Sequence, residues 1–345
     1  MRIGVIGAGA VGGAIAALLS HAGHEVEVAA RGANLAAIRE HGIRFSGAWG
    51  DFTAPVAANE RLTRAPELAF VATKAQDAAA AISASAELLR GIPVAVVQNG
   101  LASVSSSAPL LPESQVVGAL ALYAASLLGP GEVAITTTGH SYIGGGDPEA
   151  AQFVIDVLGA VMPTSVTTNF VGAQWTKLIV NQVNALPAIT GLSAQEVIGI
   201  RGLRRIMTAS IRENVRVGVR SGIRFGELQG LTDGRLRALG RSPLWVGQAL
   251  PLLMARRMGA TPNPGSTLQS IRRGSLSEID YLNGAVVAAA AAVGMSAPVN
   301  AALVRLVHEV ESTREFVAPA EVVARLQPVE EAATKKQPSR DLTDE

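Results

Sequence analysis

A glycine-rich turn directly after the first predicted strand is the feature that most narrows what this chain can fold into. The apolar run Arg2–Ile6 is followed by Gly7-Ala8-Gly9-Ala10-Val11-Gly12, which opens a predicted helix at Val11–Ala22. In such a unit the first glycine allows a tight turn, the second lets the backbone approach a pyrophosphate, and the third lets helix and strand pack closely. The helix N-terminus offers free N–H groups and a favourable dipole to phosphates. The pattern therefore predicts a nucleotide-binding loop.

The residue that ends the second predicted strand indicates which dinucleotide is bound. Loops that bind NAD usually place Asp or Glu there, about 20 residues beyond the glycines, to bind the ribose 2′-hydroxyl. Here the strand Glu25–Ala30 leads into Arg31, and no carboxylate follows until Glu40. A guanidinium can bind a 2′-phosphate and stack on adenine, so Arg31 favours NADP. The alternative is an ordinary surface arginine at a strand end.

The distribution of strand and helix signals predicts two domains and a tail. Residues 1–168 alternate short β-branched runs with Ala-rich helical stretches, which predicts an α/β, Rossmann-type domain with a mostly parallel sheet. The last two runs, Val133–Thr137 and Tyr142–Ile143, are expected to pair with each other antiparallel. Residues 169–327 have helical signals only and predict an all-α domain. Residues 328–345 are polar, lack apolar periodicity, and are predicted to be a disordered tail.

Composition and charge exclude several classes of function. A net charge of +1 gives no electrostatic case for binding nucleic acid or an acidic membrane. The absence of cysteine excludes disulfides and thiolate catalysis, and no metal site is predicted. The uncharged stretch Gly284–Val304 is interrupted by Gly294 and Pro298, so it predicts two helices and no membrane span. The N-terminus has no signal-peptide pattern, and we expect a cytoplasmic protein.

The placement of lysine marks two candidate sites. The chain has four lysines and twenty-five arginines, and two of the lysines, Lys335 and Lys336, lie in the predicted tail. A coding bias towards arginine explains the scarcity, but not why Lys74 and Lys177 are kept among apolar or small residues. Lysine can lose its proton when it is partly desolvated, whereas arginine stays charged. Both lysines are therefore candidate functional residues.

A polar stripe follows Lys177 along the predicted helix 171–188. Asn181 and Asn184 lie four and seven residues beyond it, which puts all three side chains on one face. The stripe predicts a lined cleft, and the alternative is a polar face bonded to a neighbouring helix. Further along, residues 263–269 form a predicted loop rich in amides and hydroxyls. Glu278, near the start of the next helix, could simply counter the helix dipole.

Together these motifs resemble the ketopantoate reductase (2-dehydropantoate 2-reductase) family over residues 1–326. The matching motifs occur in order: the Gly7–Gly12 loop, Lys74, Gln98-Asn99-Gly100, Lys177-Leu-Ile-Val-Asn181, Ser266-Thr-Leu-Gln, and Glu278-Ile-Asp-x-Leu-Asn283-Gly284. The chain departs from the family pattern at Asn184, which comes one residue early, at Ser270, where Asp is common, and at Ser277, where Thr is usual. These departures surround the acyl pocket and bear on the substrate more than on the reaction.

The resemblance assigns roles to individual residues, and Arg31 favours NADPH as the cofactor. Lys177 would be the general acid, and Glu278 would lie beside cofactor and substrate. The substrate would be held by Asn99, Asn181, Asn263 and Ser266, to which the polar stripe adds Asn184. The cofactor would be bound by Gly7, Ala8, Gly9, Ala10, Val11, Gly12, Arg31, Lys74, Asn99, Ala125 and Glu278.

The expected reaction is NADPH-dependent reduction of a 2-oxo acid to a 2-hydroxy acid, with 2-dehydropantoate, a precursor of coenzyme A, as the leading substrate. The protein would be a monomer or homodimer that binds this small molecule. None of the five histidines falls in a motif, so a histidine acid is not expected. The alternatives are a related reductase of another 2-oxo acid and a non-catalytic NADP-binding regulator. Retention of Lys177, Asn181, Ser266 and Glu278 argues against the regulator.

Overall fold

The computed structural model describes residues 1–259 and 261–335, and the chain divides into two compact units. The first unit comprises Met1–Phe170 and the second begins at Val171. The expected boundary after residue 168 stays a prediction, whereas the one expected after residue 327 falls inside a helix that spans Pro319–Lys335. Residues 336–345, which the sequence assigns to the tail, lie outside the described residues.

The first unit is built from strands and helices that alternate along its first half. The strands are β1 (Arg2–Ile6), β2 (Glu25–Ala29), β3 (Ile43–Gly47), β4 (Phe52–Ala54), β5 (Ala57–Asn59), β6 (Leu68–Val71), β7 (Pro93–Val97), β8 (Gln115–Ala121), β9 (Ala124–Gly129), β10 (Glu132–Thr137), β11 (Ser141–Gly144) and β12 (Thr164–Val166). The helices are α1 (Ala10–His21), α2 (Gly32–His41), α3 (Ala78–Ser83), α4 (Ala86–Leu89), α5 (Ser103–Ser107) and α6 (Pro148–Gly159).

Eight strands form the main sheet, in the order β12-β11-β8-β7-β6-β1-β2-β5. Every neighbouring pair is parallel except β8 and β11. The central strands are short apolar runs, such as the fully buried Leu68–Val71, because helices and a second sheet cover their faces. The predicted mostly parallel sheet is confirmed, and its carboxyl edge gathers the ends of β1, β2, β6 and β7.

A second sheet of four strands, β4-β3-β10-β9, was not predicted and corrects one strand pairing. Val133–Thr137 belongs to β10, which pairs antiparallel with β9 in this sheet, while β11 pairs antiparallel with β8 in the main sheet. The two runs therefore do not pair with each other. A tight turn at Gly129-Pro130-Gly131, with Gly131 at φ 71°, makes β9 and β10 a hairpin. β9 escaped prediction because Ala-Ala-Ser-Leu-Leu-Gly has no β-branched residue.

The second unit is helical, as predicted, and contains no strand among its described residues. Its helices are α7 (Phe170–Asn181, entering from the first unit), α8 (Ala185–Thr190), α9 (Ala194–Gly199), α10 (Arg201–Arg220), α11 (Asp233–Arg241), α12 (Leu244–Gly247), α13 (Ala249–Met258), α14 (Gly265–Arg272), α15 (Asn283–Ala292), α16 (Pro298–Thr313) and α17 (Pro319–Lys335). Short 3-10 turns at Gln182–Asn184 and Ile279–Tyr281 interrupt two of the predicted helices.

The Ala-rich stretch 284–304 is divided between α15 and α16, as expected. Within the part of the chain that the structure describes, every helix is too short or too polar to cross a membrane.

The predicted disorder from Pro328 onward is wrong for residues 328–335, because α17 continues to Lys335. The prediction relied on the polar composition of these residues and on their lack of apolar periodicity. Val322, Leu326 and Glu330 repeat at four-residue spacing and are all buried, so the docking face continues past the proline with an acid in place of an apolar residue. Glu330 pairs with Arg205 of α10 at 2.6 Å.

A chain ending at Gln327 should be less stable than a chain ending at Lys335, because it loses Glu330 and leaves Arg205 unpaired. We expect a loss of roughly 1–2 kcal/mol, less than for a fully buried pair because the Arg205 side chain stays partly exposed. The melting temperature should fall by roughly 2–8 °C in a thermal scan. Glu330→Gln in the full chain should reproduce part of the fall. Equal melting of the two shortened chains would show that residues 328–335 do not stabilise the fold.

Candidate active site

Two glycines of the first loop are required by close packing. Gly7 has φ 100°, and a Cβ there would lie 2.7 Å from the backbone nitrogen of Thr73. A Cβ on Gly12 would lie 1.9 Å from the carbonyl oxygen of Gly7. Neither position accepts any other residue without movement of the backbone. β1 and α1 therefore meet at the distance that the sequence pattern predicts.

Gly9 differs from these two glycines because space is open beside it. A Cβ on Gly9 would meet no atom within 4 Å. Gly9 is also the N-cap of α1 and provides no side-chain cap for the first N–H groups of the helix. The loop thus presents bare backbone to an open cavity, which is the arrangement that a pyrophosphate needs.

Asn34 on α2 holds this loop in place and was not predicted. Its Nδ2 donates to the carbonyl oxygen of Ala8 at 2.6 Å, and its Oδ1 accepts from the N–H of Gly131 at 2.7 Å. One amide therefore joins the loop to the β9–β10 turn of the small sheet. A single asparagine in a helix offers no sequence signal for such a role.

A cavity of about 270 Å³ lies at the carboxyl edge of the main sheet. Gly7, Ala8 and Gly9 line one side of it, and its cationic side chains are Arg31, Arg61 and Lys74. Two acids, Glu60 and Asp77, also line it. The structure therefore brings together the loop, the end of β2 and the turn after β6, as the sequence interpretation requires.

Arg61 was not predicted, and strand register explains its position. β2 and β5 are parallel, with Ala29 paired to Asn59, so Arg31 and Arg61 both come two residues after this pair. Parallel strands end at the same edge, so the two arginines lie in equivalent positions on neighbouring strands. β5 has only three residues, and its sequence gives no strand signal.

Other predicted cofactor residues do not line this cavity. Ala10, Val11 and Gly12 form the first turn of α1. Asn99 follows β7 at the same sheet edge, where the neighbouring Gln98 donates to the carbonyl oxygen of Thr73 at 3.2 Å. Ala125 lies in β9 of the small sheet, paired with Ile135 of β10. The roles of these residues stay predictions.

In the second unit, Lys177 lies on α7 and is only 9% exposed. Burial lowers the pKa of its ammonium group, and the negative charge of Glu278 opposes this, leaving a pKa of about 8. The adjacent Thr176 fixes the helix, because its hydroxyl donates to the carbonyl oxygens of Gly172 and Gly226 at 3.0 and 2.7 Å. Lys177 is therefore a desolvated cation, mostly protonated at neutral pH, with a carboxylate as its counter-charge.

α7 ends at Asn181, where the chain passes into the 3-10 turn Gln182–Asn184. The predicted continuous helix over 171–188 is wrong at this turn, and the role of Asn184 stays a prediction. Buried Gln182 fixes the turn, since its Oε1 accepts from Ser210 Oγ at 2.5 Å and from Asn283 Nδ2 at 2.7 Å. Asn181 is half-buried.

Asn184 lies beside the segment that begins α14. A Cβ on Gly265 would lie 2.5 Å from its Oδ1, so Asn184 and this glycine are in close contact. Asn263 is part of a tight turn, in which its Oδ1 accepts from the N–H of Gly265 at 2.8 Å. α14 starts at Gly265, so Ser266 lies in a first helical turn and not in the predicted loop, and its side chain is exposed.

Thr267 was not predicted as a site residue, although its buried hydroxyl distinguishes it. The residue is 2% exposed, and its Oγ1 has no hydrogen-bond partner among the described residues. A buried hydroxyl without a partner is costly, so such a group calls for a ligand or a water molecule. Ser270, where the family pattern has an acid, instead bonds the carbonyl oxygen of Ser266 at 3.2 Å.

Comparison with known proteins identifies a family that covers both units. The family model described as Ketopantoate reductase PanE/ApbA matches residues 3–148, and its C-terminal counterpart matches residues 169–311. A curated 2-dehydropantoate 2-reductase of Pyrococcus horikoshii is 27% identical over 317 residues, which cover 90% of this chain and 98% of that protein.

Solved structures share the fold over nearly the same length. A PanE/ApbA family ketopantoate reductase of Ralstonia eutropha JMP134 is 29% identical, with a TM-score of 0.76 over 91% of this chain and 99% of its own. D-mandelate dehydrogenase, in a ternary structure with NADH and anilino(oxo)acetate, shows the same fold at 21% identity, with a TM-score of 0.75 over 91% of this chain and 99% of its own. Since the two family models together match most of the sequence, the chain belongs to the ketopantoate reductase family.

Proposed function

We propose that this protein is an oxidoreductase that reduces a 2-oxo acid to the 2-hydroxy acid with NADPH, and that its substrate is 2-dehydropantoate. The observation that carries the proposal is Lys177, a buried ammonium group with a pKa of about 8, which the negative charge of Glu278 raises against the effect of burial. A general acid works best when its pKa lies near the operating pH. Family membership supports the substrate, since the curated relatives are 2-dehydropantoate 2-reductases.

The residues at the sheet edge fit a nicotinamide dinucleotide. Gly9 leaves room for a pyrophosphate, and the first turn of α1 offers N–H groups to it. Arg31 and Arg61 would bind the 2′-phosphate of NADP, and Lys74 would lie towards the nicotinamide end. When bound, the cofactor supplies the hydride for the C2 carbonyl.

Lys177 would then stabilise the negative charge that forms on the substrate oxygen and donate its proton to it. Glu278 would keep Lys177 protonated at neutral pH, because its charge offsets the desolvation of the ammonium group. The amide and hydroxyl groups of Asn181, Asn263 and Ser266 would bind and orient the substrate. Asn184 and Thr267 would complete the pocket beside the start of α14.

Two alternative functions are a reductase with a different substrate and a protein without catalytic activity. A related reductase would act on another 2-oxo acid. Ser270 stands where the family commonly has Asp, and this difference bears on the substrate. A non-catalytic NADP-binding regulator would need only the first unit, whereas the second unit retains Lys177 and Glu278. An NADPH-oxidation assay over a panel of 2-oxo acids separates all three. The expected cytoplasmic location and the oligomeric state stay predictions.

The rate of reduction should fall as pH rises through about 8, because Lys177 loses its proton there. In Glu278→Gln the fall should move to lower pH, since Glu278 raises the pKa of Lys177. The measurement is kcat/KM for 2-dehydropantoate from pH 6 to 10 in both proteins. A fall at the same pH in both would contradict the coupling of Lys177 to Glu278.

Lys177→Ala should lower kcat by roughly 10²–10⁴-fold, the usual scale for a positioned acid. NADPH binding, followed by fluorescence titration, should change little, because the cofactor contacts are proposed mainly in the first unit. Lys177→Arg should restore little activity, since a guanidinium keeps its charge but gives up its proton reluctantly. Asn181→Ala should act mainly on KM. Near-normal turnover by Lys177→Ala would rule out the proposed acid.

NADPH should be preferred over NADH, and Arg31→Asp should reverse the preference through repulsion of the 2′-phosphate. Arg61→Ala should weaken NADPH binding by roughly 10-fold and leave NADH binding unchanged, as expected for one lost charge-assisted hydrogen bond. Arg64→Ala is the matched control, because Arg64 belongs to the same segment but pairs with Glu25 at 2.7 Å. Equal use of both cofactors by the unmodified protein would exclude the 2′-phosphate site.

A further inference from the structure

The segment that carries Glu278 has an irregular backbone. Glu278 has φ −103° and ψ 26°, and it precedes the 3-10 turn Ile279–Tyr281. The regular helix α15 begins only at Asn283. Such a segment lacks the repeated hydrogen bonds of a helix, so its position depends on contacts with neighbouring elements.

Two side chains of α16 hold this segment on both sides of Glu278. Buried Glu311 accepts a hydrogen bond at 2.7 Å from the backbone N–H of Ser277, the residue before Glu278. His308 Nε2 lies 3.0 Å from Oδ1 of Asp280, two residues after Glu278. His308 Nδ1 lies 2.9 Å from Glu311 Oε2, so the two contacts belong to one cluster.

The cluster requires a protonated histidine, because both ring nitrogens of His308 face carboxylate oxygens. Only the imidazolium ion has two N–H donors. Burial lowers the pKa of His308, but the hydrogen bonds and negative charges of Glu311 and Asp280 outweigh it, so the pKa is raised overall. At Glu311, burial raises the pKa, and the hydrogen bonds from Ser277 and His308 outweigh it and lower the pKa.

Charged side chains on the helices packed against α16 bind groups other than His308. α8 and α15 have no charged residue. Glu213 of α10 binds the backbone N–H groups at the start of α16. Arg325 of α17 pairs with Glu309. On α16 itself, Arg305 lies one turn before His308 and is exposed. Asp280 and Glu311 are thus the charged groups that raise the pKa of His308.

We propose that His308 and Glu311 are positioning residues for Glu278, holding the segment that sets its carboxylate against Lys177. This inference rests on the proposed function for the roles of Glu278 and Lys177. When His308 loses its proton, one ring nitrogen becomes an acceptor that faces a carboxylate. The Asp280 contact is the one to open, because the Asp280 side chain is 62% exposed and that of Glu311 only 6%.

His308→Gln separates positioning from a simple charge effect, since the two act on Lys177 with opposite signs. Removal of a positive charge would by itself raise the pKa of Lys177. A loosened Glu278 would lower it, because Glu278 raises that pKa. We expect a fall of roughly half a unit, which is about a threefold change in proton affinity.

The pKa is measured by NMR on the full chain labelled with ¹³C at lysine Cε, where only four lysines contribute. Lys177→Ala identifies the signal. Glu309→Gln is the matched control, because it removes a charge from α16 that contacts Arg325 and not the Glu278 segment. It should leave the pKa of Lys177 unchanged. His308→Arg, which keeps a cation with several donors, should preserve that pKa better than His308→Gln.

A double substitution tests whether His308 acts through Glu278. In a Glu278→Gln background, His308→Gln should cause no further fall in the pKa of Lys177. A full further fall would overturn the proposal. So would a Lys177 pKa in folded His308→Gln that is equal to, or higher than, the Lys177 pKa in Glu309→Gln. His308→Asn serves the same test should the glutamine variant fail to fold. The measurement needs no turnover, so inactivity towards every 2-oxo acid would contradict the proposed function and leave this test valid.

Discussion

A buried ammonium group sets the requirements that the helical unit has to meet. Desolvation disfavours the charge on Lys177, and the carboxylate of Glu278 restores part of the lost stabilisation. That compensation depends on distance, so both groups need rigid supports. α7 has such supports in the Thr176 hydroxyl and in the amide cluster at Gln182, and α16 supports the Glu278 segment. Buried hydrogen-bond networks of this kind rigidify the elements that they join.

The parts of the fold that could be predicted are those with local signals. The glycine loop, the apolar strands of the main sheet and the change to helices near residue 169 each depend on neighbours in sequence. The small sheet could not be predicted, because β3 and β10 pair across about ninety residues and β9 has a helix-like composition. Arg61 was missed for the same reason, since only the pairing of β5 with β2 puts it beside Arg31.

In the helical unit, residue type and spacing suggested the candidate site residues, but they did not predict the backbone conformation around them. The regular i, i+4, i+7 pattern hid the 3-10 turn after Asn181, because its cause is the distant amide cluster around Gln182. The polar residues from Pro328 onward suggested disorder, and only the docking of α17 on α10 outweighs that local signal. His308 matches no motif, and its importance arises from contacts with a segment 28 residues earlier.

The three glycines of the first loop have unequal consequences for the cell. At Gly7 and Gly12 a side chain would collide with backbone, so a missense allele there would yield a chain that quality-control proteases remove. At Gly9 the space is open, so an allele with a small side chain would leave the protein abundant and folded while obstructing the cavity. An abundance screen would detect the first class of allele and overlook the second.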